Sequence, residues 1–151
     1  VGLGLSDRIW SEVMTELLMD GYAPTDNEPF MNARQREYFR ARLLEWKDDI
    51  LVESRGTISN LQAETNSLPD MSDRATSETE KSIELRTRDR QRKLISKIDE
   101  AMRRLDDGSY GYCEETGEPI SLQRLMARPI ATLSLEAQER HERRERVHRD
   151  D

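Results

Sequence analysis

Cysteine is almost missing from this chain: Cys113 is the only one in 151 residues. That excludes an intrachain disulfide framework and fits a reducing, cytoplasmic setting. Aromatic residues make up 5% and hydrophobic residues 34%, too few for a large compact globule. No apolar run approaches the roughly 18 residues of a membrane span and no signal peptide is visible, so no membrane partner is expected. Val1 in first place suggests a processed or trimmed start. A net charge of −7 denies duplex nucleic acid the basic face it needs, which argues against direct DNA binding. Also missing are a Ser/His/Asp set, a glycine-rich phosphate loop and paired carboxylates in a pocket-like context. An enzyme is not expected.

Charge is what the chain has in plenty, at 36% of residues. Two long helices, each burying one narrow stripe, tolerate that composition. The apolar residues recur at helical spacing, which argues against charge-rich disorder.

Ser6 caps a first helix that reaches Asp20 on an Ile9, Trp10, Val13, Leu17 and Leu18 stripe. Gly21 ends it, and a connector with Pro24 and Pro29 leads to Met31. Asn32 caps a second helix, with Gln35 at the capping-box position. Its ladder is Phe39, Leu43, Trp46, Ile50, Ile58, Leu61 and Leu68, with Gly56 weakening it by about 1 kcal/mol relative to alanine. Leu68-Pro69 disfavours helix at Leu68, while Asp70, Ser72 and Asp73 are residues that cap a new one. The chain therefore reverses. The return helix runs from near Ser72 to Asp107 on Ile83, Thr87, Arg90, Leu94, Ile98, Met102 and Leu105, and Gly108 closes it. Arms of about 35 residues extend on the order of 50 Å.

Gly108 to Pro129 reads as a turn-rich knuckle with a short β-ribbon, and Ser121 to Ala127 as a brief helix. Thr132 or Ser134 starts the last helix, where Glu136–Arg140, Glu139–Arg143, Glu142–Arg146 and Glu145–Arg149 stand four apart in the favourable order. Its apolar surface is Leu133, Leu135, Ala137 and Val147. The expected fold is all-α: a long antiparallel two-helix coiled-coil hairpin (32–107, tip at 67–76) projecting from a small globular base. The first helix and connector (1–31), the knuckle (108–133) and the C-terminal helix (134–151) belong to that base.

The residues alone leave roles open. Asp70 and Asp73 either cap a helix or reach a metal-centred or basic site inside another protein. Arg86, Arg88, Arg90, Arg92, Lys93 and Lys97 form a basic run that is either a solvated face or a docking stripe. Arg90, on the ladder itself, has Glu53 as a cross-hairpin candidate. Cys113 reads as a small buried hydrophobe rather than a reactive thiol, and Tyr110 and Tyr112 as packing. A helical-hairpin adaptor is the plain alternative to an active probe.

The knuckle sequence Tyr110-Gly111-Tyr112-Cys113-Glu114-Glu115-Thr116-Gly117, then Ile120, then Arg124-Leu125-Met126-Ala127-Arg128-Pro129, resembles the signature of the DksA/TraR zinc-finger family. Pro69-Asp70-Met71-Ser72-Asp73-Arg74-Ala75 resembles that family's hairpin tip, and Glu84-Leu85-Arg86-Thr87-Arg88-Asp89-Arg90 with Lys93-Leu94-Ile95 its return arm. The likeness runs in order from about Asn32 to Pro129, with the hairpin length of the family's longer type. It implies a transcription regulator that binds bacterial RNA polymerase through the secondary channel, acts on initiation together with ppGpp in the stringent response, and reads no promoter sequence itself. It further implies tip roles for Asp70, Asp73 and Ala75, polymerase binding for Arg90, and a part in a ppGpp site for Leu94, Lys97 and Arg128. A monomer is expected.

The family's four zinc positions fall on Cys113, Thr116, Ser134 and Ala137. Three thiolates are gone, and threonine, serine and alanine do not complete a tetrahedral zinc site. His141 and His148, seven apart on a charged helix, read as ordinary surface. No zinc and no other stably bound cofactor is expected. The family's lysine after its last cysteine, a ppGpp contact, is Gln138 here, so a weaker ppGpp response is expected.

Overall fold

The computed structural model describes residues 21–65 and 71–150, without side chains for 57–74 and 150. The first helix expected over Ser6–Asp20 and the segment Ser67–Asp70 lie outside the described residues. What is described is all-α: α1 (Ala33–Thr65), α2 (Met71–Asp107), α3 (Leu122–Ala127) and α4 (Leu135–Asp150). Among the described residues there is no strand; the expected ribbon is a single antiparallel bridge between Tyr112 and Pro119. Chain contacts divide the molecule into two compact units, Val1–Leu43 with Glu100–Asp151, and Leu44–Asp99; α1 and α2 run through both.

The first unit holds the dense core. Asn32 caps α1 as expected, its Oδ1 accepting from Gln35 N at 2.8 Å. Gln35, fully buried, reaches back one residue further than a standard capping box and accepts from Met31 N at 2.9 Å. Its amide also donates to Glu28 and to the Thr25 carbonyl, so one side chain clasps the connector to the helix. Tyr22 donates to Glu28 at 2.6 Å, and the Arg34 guanidinium sits 4.0 Å from the Tyr22 ring centre. At the far end of α2, Gly108 adopts φ 86°, and Ser109 N reaches the Arg104 carbonyl at 3.0 Å. That left-handed glycine and six-to-one bond form a Schellman close. Arg40 pairs with Asp106 at 2.6 Å.

In the second unit α1 and α2 are antiparallel, pairing Lys47 with Asp99 at 2.7 Å and Glu53 with Gln91 at 3.3 Å. Ile50 and Ile98 are buried, as the ladders require, and Trp46 and Leu94 are half-buried. The outer return ladder does not hold. Ile83 is 56% exposed and Arg90 is exposed, whereas Ser77 and Gln91 are buried. Ser77, Gln91, Ile98 and Leu105 are buried and Glu84 is half-buried on one seven-residue repeat, which carries the seam one residue past Arg90. It is Gln91, not Arg90, that donates to Glu53.

On α4 only Ala137 of the expected apolar set is buried; Leu135 and Val147 are 55% and 61% exposed. None of the four expected glutamate–arginine pairs is among the ion pairs of the described residues, and other contacts form on this helix. Gln138 donates to Glu142, His141 lies 3.5 Å from Glu145, and Arg143 Nε reaches the Glu139 carbonyl. Exposed arginines gain little from one fixed carboxylate partner, so the expected pattern has weak energetic backing.

Candidate functional site

The knuckle begins where α2 closes. Tyr110 is buried, and its hydroxyl donates to the Pro129 carbonyl at 2.7 Å; burial pushes its pKa up. Gly111 follows at φ 88°, with Met31 and Phe30 atoms 3.1 and 3.2 Å from where a Cβ would lie. Glycine is required there for both conformation and space. The Phe30 and Tyr112 rings meet edge to face at 5.5 Å, and Phe39 packs on Tyr110. Ile120, Leu122, Leu125, Ile130 and Ala131 are buried as well, while Tyr112 and Leu133 are half-buried. Ser121 caps α3, its Oγ accepting from Arg124 N at 3.2 Å.

Backbone bonds cross-link the knuckle. Cys113 N donates to the Glu118 carbonyl and Gly117 N to the Cys113 carbonyl, both at 2.8 Å, while Glu114 N donates to the Thr132 carbonyl at 2.9 Å. Cys113 is buried, Thr116 is exposed, Ser134 is half-buried and Ala137 is buried. Ser134 Oγ accepts from Ala137 N at 3.2 Å and so caps α4. One thiol, two hydroxyls and a methyl do not supply four zinc ligands, and among the described residues no group of three or more His, Cys, Asp or Glu side chains is placed to hold a metal.

Cys113 is small and buried, as expected. Burial pushes the thiol up, yet the Thr116 hydroxyl and the backbone N–H groups of Ser134, Thr116 and Glu115 outweigh it and bring the pKa down to about 6. The donors around the thiol favour a thiolate.

Arg104 is the residue that the periodicity argument passes over. It is 6% exposed, donates to the Ser109 and Tyr112 carbonyls at 3.3 and 3.0 Å, and lies 3.9 Å from Glu114. It ties the end of α2 to the knuckle. A basic residue one turn before a closing glycine is the available signal, since a guanidinium there complements exposed carbonyls.

Of the tip residues, Asp70 lies outside the described residues, the Asp73 backbone belongs to α2, and Ala75 is exposed. Arg86, Arg90, Arg92, Lys93 and Lys97 are exposed on α2, where a shallow open depression is lined by Lys81, Arg86, Arg88 and Arg92 together with the carboxylates Glu78 and Asp89. Leu94 is half-buried and Lys97 is exposed less than a turn further on, both in the second unit; Arg128, exposed, is the C-cap residue of α3 in the first.

This order of elements has close counterparts. The family described as DnaK suppressor protein DksA, N-terminal domain, matches residues 35–105, and the prokaryotic dksA/traR C4-type zinc finger matches residues 108–143. The RNA polymerase-binding transcription factor DksA of Caulobacter vibrioides is 71% identical over 130 residues, spanning 86% of this chain and 92% of that protein. This chain belongs to the DksA family. The Escherichia coli K12 DksA is 39% identical over 128 residues, covering 85% of each chain. A solved structure of DksA2 from Pseudomonas aeruginosa superposes with a TM-score of 0.74 at 39% identity, covering 88% of this chain and 98% of that one. The segment that matches the C4-type zinc finger carries a single cysteine, Cys113.

Proposed function

We propose that this chain binds RNA polymerase and regulates transcription initiation from the secondary channel, together with ppGpp. The observation that carries this is the 71% identity to a protein named as RNA polymerase-binding, over nearly the whole of that protein. Asp70, Asp73 and Ala75 form the working tip, placed near the polymerase active centre. Arg90 docks on polymerase; its exposure on α2 among other cations supports that role. Leu94, Lys97 and Arg128 contribute to a ppGpp site, with Gln138 weakening it. The protein acts as a cytoplasmic monomer, without catalysis, without sequence-specific DNA contacts and without zinc.

A probe that docks along its arm needs its acting chemistry only at its end. Docking and effect are therefore separable. Titration of polymerase with Asp70→Asn/Asp73→Asn should leave the bound fraction nearly unchanged and abolish the effect on initiation, because exposed charges at one end contribute modestly to affinity. Arg90→Ala should weaken binding, with output restored by excess protein. Parallel loss of binding and output in the tip variant would make the tip a docking site and overturn this division.

A further inference from the structure

The seam of α2 changes character along its length. Ser77, Gln91, Ile98 and Leu105 are buried at heptad spacing, and Glu84, at the position between Ser77 and Gln91, has a buried Oε2. The two positions toward the end of the helix are aliphatic and the three before them are polar. Ser77 Oγ, Glu84 Oε2 and Gln91 Oε1 are each shut away from solvent without a hydrogen-bond partner. Gln91 donates through Nε2 to Glu53, which leaves its oxygen unmatched. A buried acceptor without a donor keeps its desolvation cost uncompensated, and a partly satisfied polar seam is less favourable than an apolar one.

Two further observations fall on the same stretch. Thr79 and Thr87 donate their hydroxyls to the carbonyls of Ala75 and Ile83, at 3.1 and 3.0 Å. Such back-bonds compete with the helix ladder and soften it. The aliphatic residues of the stretch, Ile83 and Leu85, are 56% and 54% exposed, so they contribute little burial.

We propose that the length of α2 from Ser77 to Gln91 opens as a unit of its own, parting from α1 while the Ile98–Leu105 end of the helix stays formed. Polar residues at seam positions set the register of a helix pair at a cost in stability, and local opening follows that cost. The register part is visible at Glu53: a slip of seven residues would set Glu84 or Ile98 opposite it, a like charge or a group with no donor. The inference concerns the free protein and goes beyond the polymerase reading.

Native-state amide hydrogen exchange on the full chain tests it. Amides of Ser77–Gln91 should exchange at least about tenfold faster than those of Ile98–Leu105. Gln91→Leu should slow exchange in the first segment by about tenfold and leave the second unchanged, because it replaces an orphaned acceptor by an apolar group. Glu84→Leu should act in the same direction. Equal protection of both segments in the native protein would overturn the proposal, and that comparison needs no variant. So would variants that slow both segments alike, or neither, since the helix would then open as a whole or not through this seam.

Discussion

Between Gly108 and Leu133 the chain makes little regular structure yet buries Tyr110, Cys113, Ile120, Leu122 and Leu125. Between Leu44 and Asp99 nearly every described residue is helical, yet α2 exposes Ile83 and Leu85 and encloses polar atoms without partners. Regular secondary structure and burial are therefore distributed differently over the molecule. A helix satisfies its own backbone and needs only a narrow stripe of contact. A knuckle of turns has no such ladder, so each backbone group and ring must find a specific partner.

The largest effect that sharpens this contrast is a pair of truncations. Leu125→Ala, at a fully buried site, should cost about 2–5 kcal/mol in chemical denaturation. Ile83→Ala, at a site 56% exposed, should cost less than about 0.5 kcal/mol although it removes as many carbon atoms. Comparable costs would mean that burial does not separate the two regions.

A smaller effect should appear with pH. The folded pKa of Cys113, about 6, lies below its ordinary 9.0, so the thiolate's contribution is fully present above pH 9 and is lost as pH falls through about 6. Near pH 7 it amounts to on the order of 1 kcal/mol. Denaturation midpoints of the wild type and Cys113→Ser, compared from about pH 5 to about pH 9, should diverge as pH rises. Parallel curves would show that the thiol is not ionised in the fold.

The smallest expected effect is none. If side-chain packing and backbone bonds hold the knuckle, a chelator should leave the melting temperature unchanged, and elemental analysis should find zinc far below one per chain. A structural zinc contributes folding energy directly, so near-stoichiometric zinc with a lowered melting temperature would break the contrast between the regions.

Much of this was legible along the chain. Asn32, Gly108, Ser121 and Ser134 all carry local signals that the structure uses as helix boundaries, because capping depends on a few neighbouring atoms. The all-α class, the family motif and the missing thiolates are likewise properties of residue order. The outer seam was not legible. A ladder built from steps of three or four residues admits two adjacent registers there, and choosing the aliphatic Ile83 favours the wrong one.

The amino-acid sequence by itself determined where several helices are capped, that the knuckle carries a single cysteine, and which family the chain belongs to. Only the tertiary structure decided that Gln91 rather than Arg90 faces Glu53, that Arg104 is buried against the knuckle carbonyls, and that Cys113 is ringed by donors. Caps and motifs are read within a turn or two of chain. Seam register, the partners of a buried charge and the acidity of a thiol depend on groups brought close from distant positions, and their energies are set by that proximity.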